Sequence, residues 1–151
     1  MGQSPKYVAR AIRRLREQDV IVNGFFMFGT DHDDAGSMAQ TVRFAKESGC
    51  LLAGFMPLTP FPGTATFRAL EREGRIFTKD WELYDVQHVV FHPERLSAQS
   101  LYWRTLACYP AFYGHGGLLR QARLVRTKKP SLGMIAIGAT WPLVKQACWT
   151  R

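Results

Sequence analysis

Residues 20–29 read VIVNGFFMFG and residues 51–58 read LLAGFMPL, and these two apolar runs decide the fold. Both runs are short and uninterrupted by charge, which is typical of strands buried on both faces of a parallel sheet. The segment between them has the length of one helix, and parallel neighbours require such a crossover connection. The two runs therefore predict parallel strands joined through a helix.

Helices are predicted before, between and after the two strands. Ser4 and Pro5 are typical of an N-cap followed by proline at the first helical position, and the amphipathic pattern continues to about Gln18. The second helix is predicted to close at Gly49, and the third to be capped by Thr64. The apolar positions predicted to face the core are Met38, Val42 and Ala45 in the second helix, with Phe67 and Leu70 in the third.

The order helix, strand, helix, strand, helix is that of β/α units. The predicted fold class is therefore α/β, a partial (β/α) TIM-like barrel with parallel strands followed by a mostly helical C-terminal extension. Residues 1–80 are predicted to form the barrel part and residues 81–151 the extension. In the extension we expect an extended piece over residues 86–91, a helix capped by Ser97 and a break over residues 114–117.

Composition describes an ordinary globular chain with an uneven charge. Its 151 residues are 46% apolar and 21% charged, so disorder is not expected for most of the length. The net charge is +8, yet no acidic residue follows Glu94, so the basic character belongs to the tail. A run such as residues 120–129 is expected to be a solvated helix face, and the apolar run over residues 130–144 is too short to span a bilayer.

The cysteines argue against a metal centre and against a secreted disulfide framework. Cys50, Cys108 and Cys148 are odd in number and far apart, so no pair has the spacing of a zinc or iron–sulfur site. The first 18 residues contain no apolar stretch of the kind found in secretory signals. A cytoplasmic protein, which could lie at the periphery of a membrane, is the expectation.

A set of motifs follows the two predicted strands. They are the strand end Phe26–Gly29 (residues 26–29), the Pro-Gly-Thr element at 62–64, the Gly-Arg pair at 74–75, and then Trp81 and Asp85. In this order and spacing, the chain resembles the later part of the barrel of radical S-adenosylmethionine enzymes. The resemblance is to the group that carries a cobalamin-binding domain ahead of that barrel, and it covers about residues 6–101.

The resemblance implies S-adenosylmethionine, a [4Fe–4S] cluster and cobalamin as cofactors of a full-length parent enzyme. Such a cluster is held by three cysteines in a CxxxCxxC loop, which this chain lacks. The four earlier strands and the cobalamin domain are also missing. We therefore expect a fragment that binds no cofactor and is inactive by itself.

The resemblance also implies a binding edge for the nucleoside part of S-adenosylmethionine. Ligands of β/α folds lie at the C-terminal ends of the strands, where the loops and helix N-termini converge. The strand ends would contact or flank adenine and ribose, and the aspartates would bind the ribose hydroxyls or the amino group. The implied cofactor-binding residues are Phe28, Gly29, Asp31, Asp33, Met56, Pro57 and Leu58.

Plainer structural roles are open for the same residues. Gly29 suits an ordinary turn, the phenylalanines suit a core, and Asp31 and Asp33 suit caps of the following helix. An isolated strand pair would leave both sheet edges open, with the aromatic rings only partly buried. The rings expected to be only partly buried are those of Phe26, Phe28 and Phe55. A metal site is not expected among the scattered histidines, which are His32, His88, His92 and His115.

Two classes of function remain open from the residues. The first is a piece of an enzyme, with the missing N-terminal half or a second copy as partner, and with a small-molecule or lipid-like substrate in the parent. Members of the resembled family act on tetrapyrroles and hopanoid lipids, among other metabolites. The alternative is a basic, non-catalytic module in which residues 117–151 bind a membrane surface or, less in keeping with the sequence, nucleic acid. An α/β domain without retained activity is compatible with the first class.

Overall fold

The computed structural model of the chain describes residues 4–124. Seven regular elements and one short 3-10 helix follow one another within that range. They are α1 (Pro5–Glu17), β1 (Asn23–Phe28), α2 (Ala35–Ser48), β2 (Leu52–Pro57), α3 (Ala65–Arg72), a 3-10 helix (Trp81–Leu83), α4 (Ala98–Tyr113) and α5 (His115–Leu124).

β1 and β2 pair in a two-stranded sheet and run parallel. At the start of the pair, the Leu52 N–H donates to the carbonyl of Val22 at 3.4 Å, and at its end the Leu58 N–H donates to the carbonyl of Phe28 at 2.7 Å. Because both strands advance together between these two bonds, their C-terminal ends lie at the same edge. The predicted parallel pairing through a helix is confirmed, and the partial barrel stays a prediction.

The helix ends agree with the local signals in the sequence. The Ser4 hydroxyl accepts the Tyr7 N–H at 3.4 Å, and the Thr64 hydroxyl accepts the Phe67 N–H at 3.2 Å. Gly49 follows the last residue of α2 with φ +92°, the left-handed conformation in which glycine avoids a steric penalty. The predicted caps and the glycine closure are therefore confirmed, as is Ser97, whose hydroxyl accepts the Ser100 N–H at the start of α4.

β1 departs from the predicted strand in length and in burial. It begins at Asn23 rather than at residue 20, and one of its faces is open: Phe25 is 70% exposed and Met27 is 53% exposed. The opposite face turns inward and ends in the buried Phe28. Burial on both faces is therefore wrong for β1, because none of the described helices covers the face that carries Phe25 and Met27.

The aromatic rings between the strands are better covered than expected. Phe28 and Phe55 are 1% and 0% exposed, and their rings stack with centroids 6.1 Å apart. The expected partial burial is wrong for these two rings, since the fully buried Phe91 and Leu101 pack at the end of β1. For Phe26, which is half-buried, it is confirmed.

The chain divides into two compact units, and the first contains described residues 4–25, 41–54 and 109–124. In this unit, side chains of α4 and α5 bond the backbone at the start of β2. The Tyr113 hydroxyl accepts the Ala53 N–H at 2.8 Å and donates to the Ala53 carbonyl at 2.9 Å. Two further carbonyls accept side-chain donors, with Gln121 Nε2 bound to Leu51 at 3.1 Å and an Arg120 nitrogen bound to Cys50 at 2.9 Å.

The bond from Arg120 bears on the prediction that the basic run over residues 120–129 forms a solvated helix face. Arg120 is half-buried, and its guanidinium also lies 4.3 Å above the ring of Phe112. A solvated helix face is therefore wrong for this residue, because its charge is directed to a strand and an aromatic ring. Among residues 4–124, no helix is both long and apolar enough to cross a membrane.

The second unit comprises Phe26–Gln40 and Phe55–Cys108. Beside the strand ends it has a smaller core of Phe67, Tyr84 and Val90, and an antiparallel bridge joins Ile76 to Phe91. The predicted extended piece over residues 86–91 is wrong in its first half, where the chain bends with Val86 at φ +59°. The predicted break over residues 114–117 is confined to Gly114, because α5 begins at the next residue.

Candidate cofactor site

The turn after β1 is held together by the carboxylate of Asp33. One oxygen of this group accepts the backbone N–H of Gly29 at 3.0 Å, the backbone N–H of Thr30 at 2.9 Å and the Thr30 hydroxyl at 2.7 Å. The other oxygen accepts the Ser37 hydroxyl at 3.2 Å. Four hydrogen bonds to one carboxylate fix the path by which the chain leaves the strand.

The cap of α2 is the next residue along. Asp34 Oδ1 accepts the Ser37 N–H at 2.8 Å, and the Ser37 hydroxyl accepts the Asp34 N–H at 3.0 Å. This reciprocal pair satisfies the free donors at the helix start. The expected capping by Asp31 or Asp33 is therefore wrong, because Asp34 occupies the residue before the first helical turn.

Asp31 is engaged in an ion pair with Arg75, whose Nη2 lies 2.8 Å from Asp31 Oδ1. The Arg75 side chain is 14% exposed, and its Nε also donates to the carbonyl of His92 at 2.8 Å. Burial alone would lower the pKa of Arg75, but the hydrogen bonds that its guanidinium donates to Asp31 and Glu73 outweigh this effect and raise the pKa. Arg75 thus joins the turn after β1 to the segment that follows Phe91.

Gly29 lies at the end of β1 with φ +109° and is buried. A Cβ placed on it would lie 2.8 Å from Leu101 Cδ2 and 3.2 Å from Phe91 Cζ. The close approach for which a glycine is needed here is therefore to side chains of the same unit. A flat ligand at this residue would have to lie on another side of the backbone.

The end of β2 supplies the other three predicted residues. Met56 and Leu58 are half-buried, and Pro57 is buried between them. Thr59, which follows, is 6% exposed, and its hydroxyl has no hydrogen-bond partner among residues 4–124. Buried hydroxyls are normally hydrogen-bonded, so this group is an available donor and acceptor beside the predicted site. Sequence reasoning did not single it out, because the pattern of a strand exit does not reveal which hydroxyl lacks a partner.

All seven predicted cofactor residues lie in the second unit, at the ends of β1 and β2. Three of them, Asp33, Met56 and Leu58, are partly accessible, and Asp31 is exposed. Phe28 is in the core, and the carboxylate of Asp33 already accepts four bonds. The residues present suit contacts to an apolar, flat group better than new hydrogen bonds from the aspartates, and their roles in cofactor binding stay predictions.

The described cysteines do not fit an iron–sulfur cluster. Cys50 and Cys108 are free thiols, 1% and 5% exposed. Burial raises the pKa of Cys50, and it raises the pKa of Cys108 to about 11, whereas cluster ligation requires thiolates. Within residues 4–124, no group of three His, Cys, Asp or Glu side chains is placed to hold a metal ion. Cys148 lies outside the described residues.

Sequence reasoning also assigned no role to a pair that the second unit brings together. His88 Nδ1 lies 3.0 Å from Asp85 Oδ2, and both side chains are partly exposed. The spacing of three residues between an aspartate and a histidine is the signal that could have found it. Taken alone, such spacing is common and carries little information.

Part of the chain is similar in sequence to characterised enzymes. Over 90 residues, 60% of its length, the chain is 33% identical to a bacteriochlorophyllide d C-12(1)-methyltransferase of Chlorobaculum tepidum. Over 113 residues it is 26% identical to the bacteriochlorophyllide d C-8(2)-methyltransferase of that organism. Over 103 residues it is 29% identical to the anaerobic magnesium-protoporphyrin IX monomethyl ester cyclase of Cereibacter sphaeroides. No family model matches the chain.

The aligned segments cover 19%, 25% and 16% of these three relatives, so the chain spans a quarter of their length or less. These partial homologies support a relationship to radical S-adenosylmethionine enzymes, the family that the motifs after β1 and β2 resemble. Two of the three relatives are methyltransferases by name, and all three names contain a tetrapyrrole.

Proposed function

We propose that this chain is the C-terminal part of a radical S-adenosylmethionine enzyme that modifies a tetrapyrrole. In this proposal, the ends of β1 and β2 form the wall of the barrel beside the adenosine moiety. One observation carries it: the Leu58 N–H bonds the Phe28 carbonyl, so the two motif-bearing strand exits leave the sheet side by side. The homology to tetrapyrrole-modifying enzymes supports the choice of substrate class.

Cofactors in this proposal belong to the assembled enzyme. The [4Fe–4S] cluster would supply the electron that cleaves S-adenosylmethionine, and its cysteines would come from the N-terminal part of the enzyme, since the described cysteines are buried thiols. Cobalamin enters the proposal only because the motifs resemble the group of enzymes that carries a cobalamin-binding domain ahead of the barrel. The chain's own contribution is apolar contact from Met56 and Leu58, and a turn held rigid by Asp33 and Arg75.

The partner is accordingly the N-terminal part of the same kind of enzyme, in one polypeptide or as a separate subunit. Covering the exposed Phe25 and Met27 would add to the stability of such an assembly, at about 25 cal/mol for each Å² of apolar surface removed from water. Peripheral membrane contact and a cytoplasmic location belong to the same proposal. They would suit a hydrophobic substrate.

A chimera tests the proposal directly. The segment of the Chlorobaculum tepidum C-12(1)-methyltransferase that aligns with this chain is replaced by the matching 90 residues of this chain. After anaerobic reconstitution, we expect the chimera to cleave S-adenosylmethionine, measured as S-adenosylhomocysteine and 5′-deoxyadenosine. A matched chimera carrying Gly29→Val should be inactive. A folded, cluster-loaded chimera without cleavage would contradict the proposal.

The chain alone provides the second arm of the test. Reconstituted with iron and sulfide, it should show no absorbance from a bound cluster, because the described thiols are buried. Robust cluster uptake would overturn the view that the cluster ligands lie elsewhere. The alternative of a basic binding module uses residues 117–151, of which 125–151 lie outside the described part, and no described contact favours it.

A further inference from the structure

A carboxylate–imidazole pair lies on the segment after the 3-10 helix. Asp85 Oδ2 is 3.0 Å from His88 Nδ1, while Asp85 Oδ1 accepts the N–H of Gln87 at 2.8 Å and the N–H of His88 at 3.0 Å. These bonds fix the carboxylate and, through it, the imidazole. In a neutral His88 the proton then lies on Nδ1, which leaves Nε2 as the basic nitrogen.

The backbone between the two residues is held in an unfavourable conformation. Val86 has φ +59°, a left-handed conformation that is an outlier for a β-branched residue. Such strain costs about 1–3 kcal/mol and is concentrated at functional sites, where the surrounding contacts impose it. Val86 lies inside the turn that the Asp85 carboxylate closes by accepting the N–H groups of Gln87 and His88, the same carboxylate that contacts the His88 ring.

The same segment exposes flat apolar surface. Trp81 is 54% exposed and Phe77 is 48% exposed, and the Trp81 ring centroid lies 5.0 Å from that of Tyr84. Three residues after His88 comes Phe91, whose ring reaches Gly29 at the end of β1. An extended chain of three residues spans at most about 11 Å, so His88 lies near the predicted cofactor edge.

The geometry points to His88 as an axial ligand of the metal at the centre of a tetrapyrrole substrate, with Asp85 as the positioning residue. This inference rests on the proposed function for its substrate class. A carboxylate that bonds the second nitrogen of a ligating histidine is the usual outer shell of protein metal sites. A single histidine suits an ion whose other positions are filled by the ring nitrogens, in keeping with the lack of a three-ligand group in the described residues.

Coordination would form one bond from the Nε2 lone pair to the metal, with no change of oxidation state. The ring would keep its contact with Asp85 through Nδ1. The exposed rings of Trp81 and Phe77 would then lie along the path by which a macrocycle approaches. The relatives named for magnesium-protoporphyrin IX make magnesium the expected ion.

Binding of two porphyrins to the full chain tests the inference. Magnesium protoporphyrin IX and metal-free protoporphyrin IX are titrated separately, and the shift of the main absorbance band is recorded. We expect the magnesium form to bind at least about 10-fold more tightly, which corresponds to about 1.4 kcal/mol for the metal contact. His88→Ala should abolish this preference without loss of metal-free binding, and Asp85→Asn should weaken magnesium-porphyrin binding by about 10–100-fold.

Two further variants keep the test independent of folding. His92→Ala is the matched control, because the His92 ring packs on Phe77 and has no carboxylate partner among the described contacts; its preference should equal that of the wild type. In His88→Gly, added imidazole should restore the band shift. A preference that survives His88→Ala, or equal binding of both porphyrins by the wild type, overturns the inference and leaves the tetrapyrrole substrate standing. Binding of neither porphyrin overturns the inference, and the chimera then decides the proposed function separately.

Discussion

The Tyr113 hydroxyl bonds both backbone groups of Ala53, the N–H at 2.8 Å and the carbonyl at 2.9 Å. A strand at the edge of a sheet presents such groups unpaired and is a template for unwanted pairing. Here a helix side chain satisfies them, and Gln121 Nε2 donates to the carbonyl of Leu51. The C-terminal helices therefore close the start of β2 in the place where another strand could pair.

Tyr113→Phe should destabilise the chain by about 1–3 kcal/mol, because the substitution leaves a buried N–H and carbonyl without their partner. Urea unfolding followed by circular dichroism measures the change. Tyr7→Phe is the matched control, since Tyr7 is 58% exposed, and it should change stability by less than about 0.5 kcal/mol. Equal effects of the two variants would show that the bonds to Ala53 contribute nothing.

Gly29→Ala should cost more stability than Gly63→Ala. Both glycines have positive φ, for which an alanine costs about 1–2 kcal/mol. At Gly29 the new methyl group also meets Leu101 at 2.8 Å, which adds about 1–3 kcal/mol of overpacking, whereas no atom of the described residues lies within 4 Å at Gly63. Thermal unfolding of the two variants gives the difference, and a lower melting temperature for Gly63→Ala would contradict the packing.

Arg75→Ala should destabilise the second unit by about 1.5–3 kcal/mol, through the loss of charged hydrogen bonds at a side chain that is 14% exposed. Asp31→Asn removes one exposed partner only and should cost less than about 1 kcal/mol. Lys79→Ala, which breaks the exposed pair with Glu71, is the control for a surface ion pair and should change stability much less than Arg75→Ala. If Arg75→Ala and Lys79→Ala lowered the free energy of unfolding equally, the bonds of Arg75 would stabilise the unit no more than an exposed ion pair does.

Val86→Gly should be more stable than Val86→Ala by about 1 kcal/mol, since glycine adopts the left-handed conformation without a steric penalty and alanine does not. Both substitutions remove the same apolar branch, so their difference isolates the backbone. Chemical denaturation of the pair measures it. An alanine variant as stable as the glycine variant would mean that the backbone is relaxed at this residue.

Acid unfolding should report the carboxylate of Asp85. Burial alone would raise its pKa, but the hydrogen bonds from the backbone of His88 and Gln87 and from the His88 ring outweigh it and lower the pKa. A lowered folded pKa means that the contribution is fully present above the unfolded value of about 3.9 and is lost as the pH falls through the folded pKa. Asp85→Asn should flatten the stability profile below about pH 4, and an unchanged profile would count against the bonded carboxylate.

Local signals in the sequence predicted the elements well, because caps and apolar periodicity act within a few residues. Ser4, Thr64 and Ser97 cap their helices for reasons visible in the adjacent chain. Burial was harder to predict. Whether the ring of Phe28 is covered depends on Leu101 and Phe91 near the same strand end, and no pattern around residue 28 encodes that.

The candidate site shows the same division. Sequence motifs led to the two strand exits, and the structure brings those exits together. Asp31 pairs with Arg75, which is remote in the sequence. The adjacent Asp33 and Asp34 have different roles, since Asp33 holds the turn after β1 and Asp34 caps α2. Ion pairs and hydrogen bonds depend on distances of a few ångströms between side chains, and the spacing of residues along the chain does not determine these distances.

The bond between Tyr113 and Ala53 joins residues 60 positions apart, and Arg120 reaches Cys50 across 70. While a ribosome is still synthesising the chain, β2 therefore emerges long before the side chains that cover it. During that interval the nascent strand has exposed amides, and a chaperone or a neighbouring polypeptide could bind them. Because α4 and α5 are translated after β2, the backbone groups of this strand are protected from wrong pairing only once these two helices have been made.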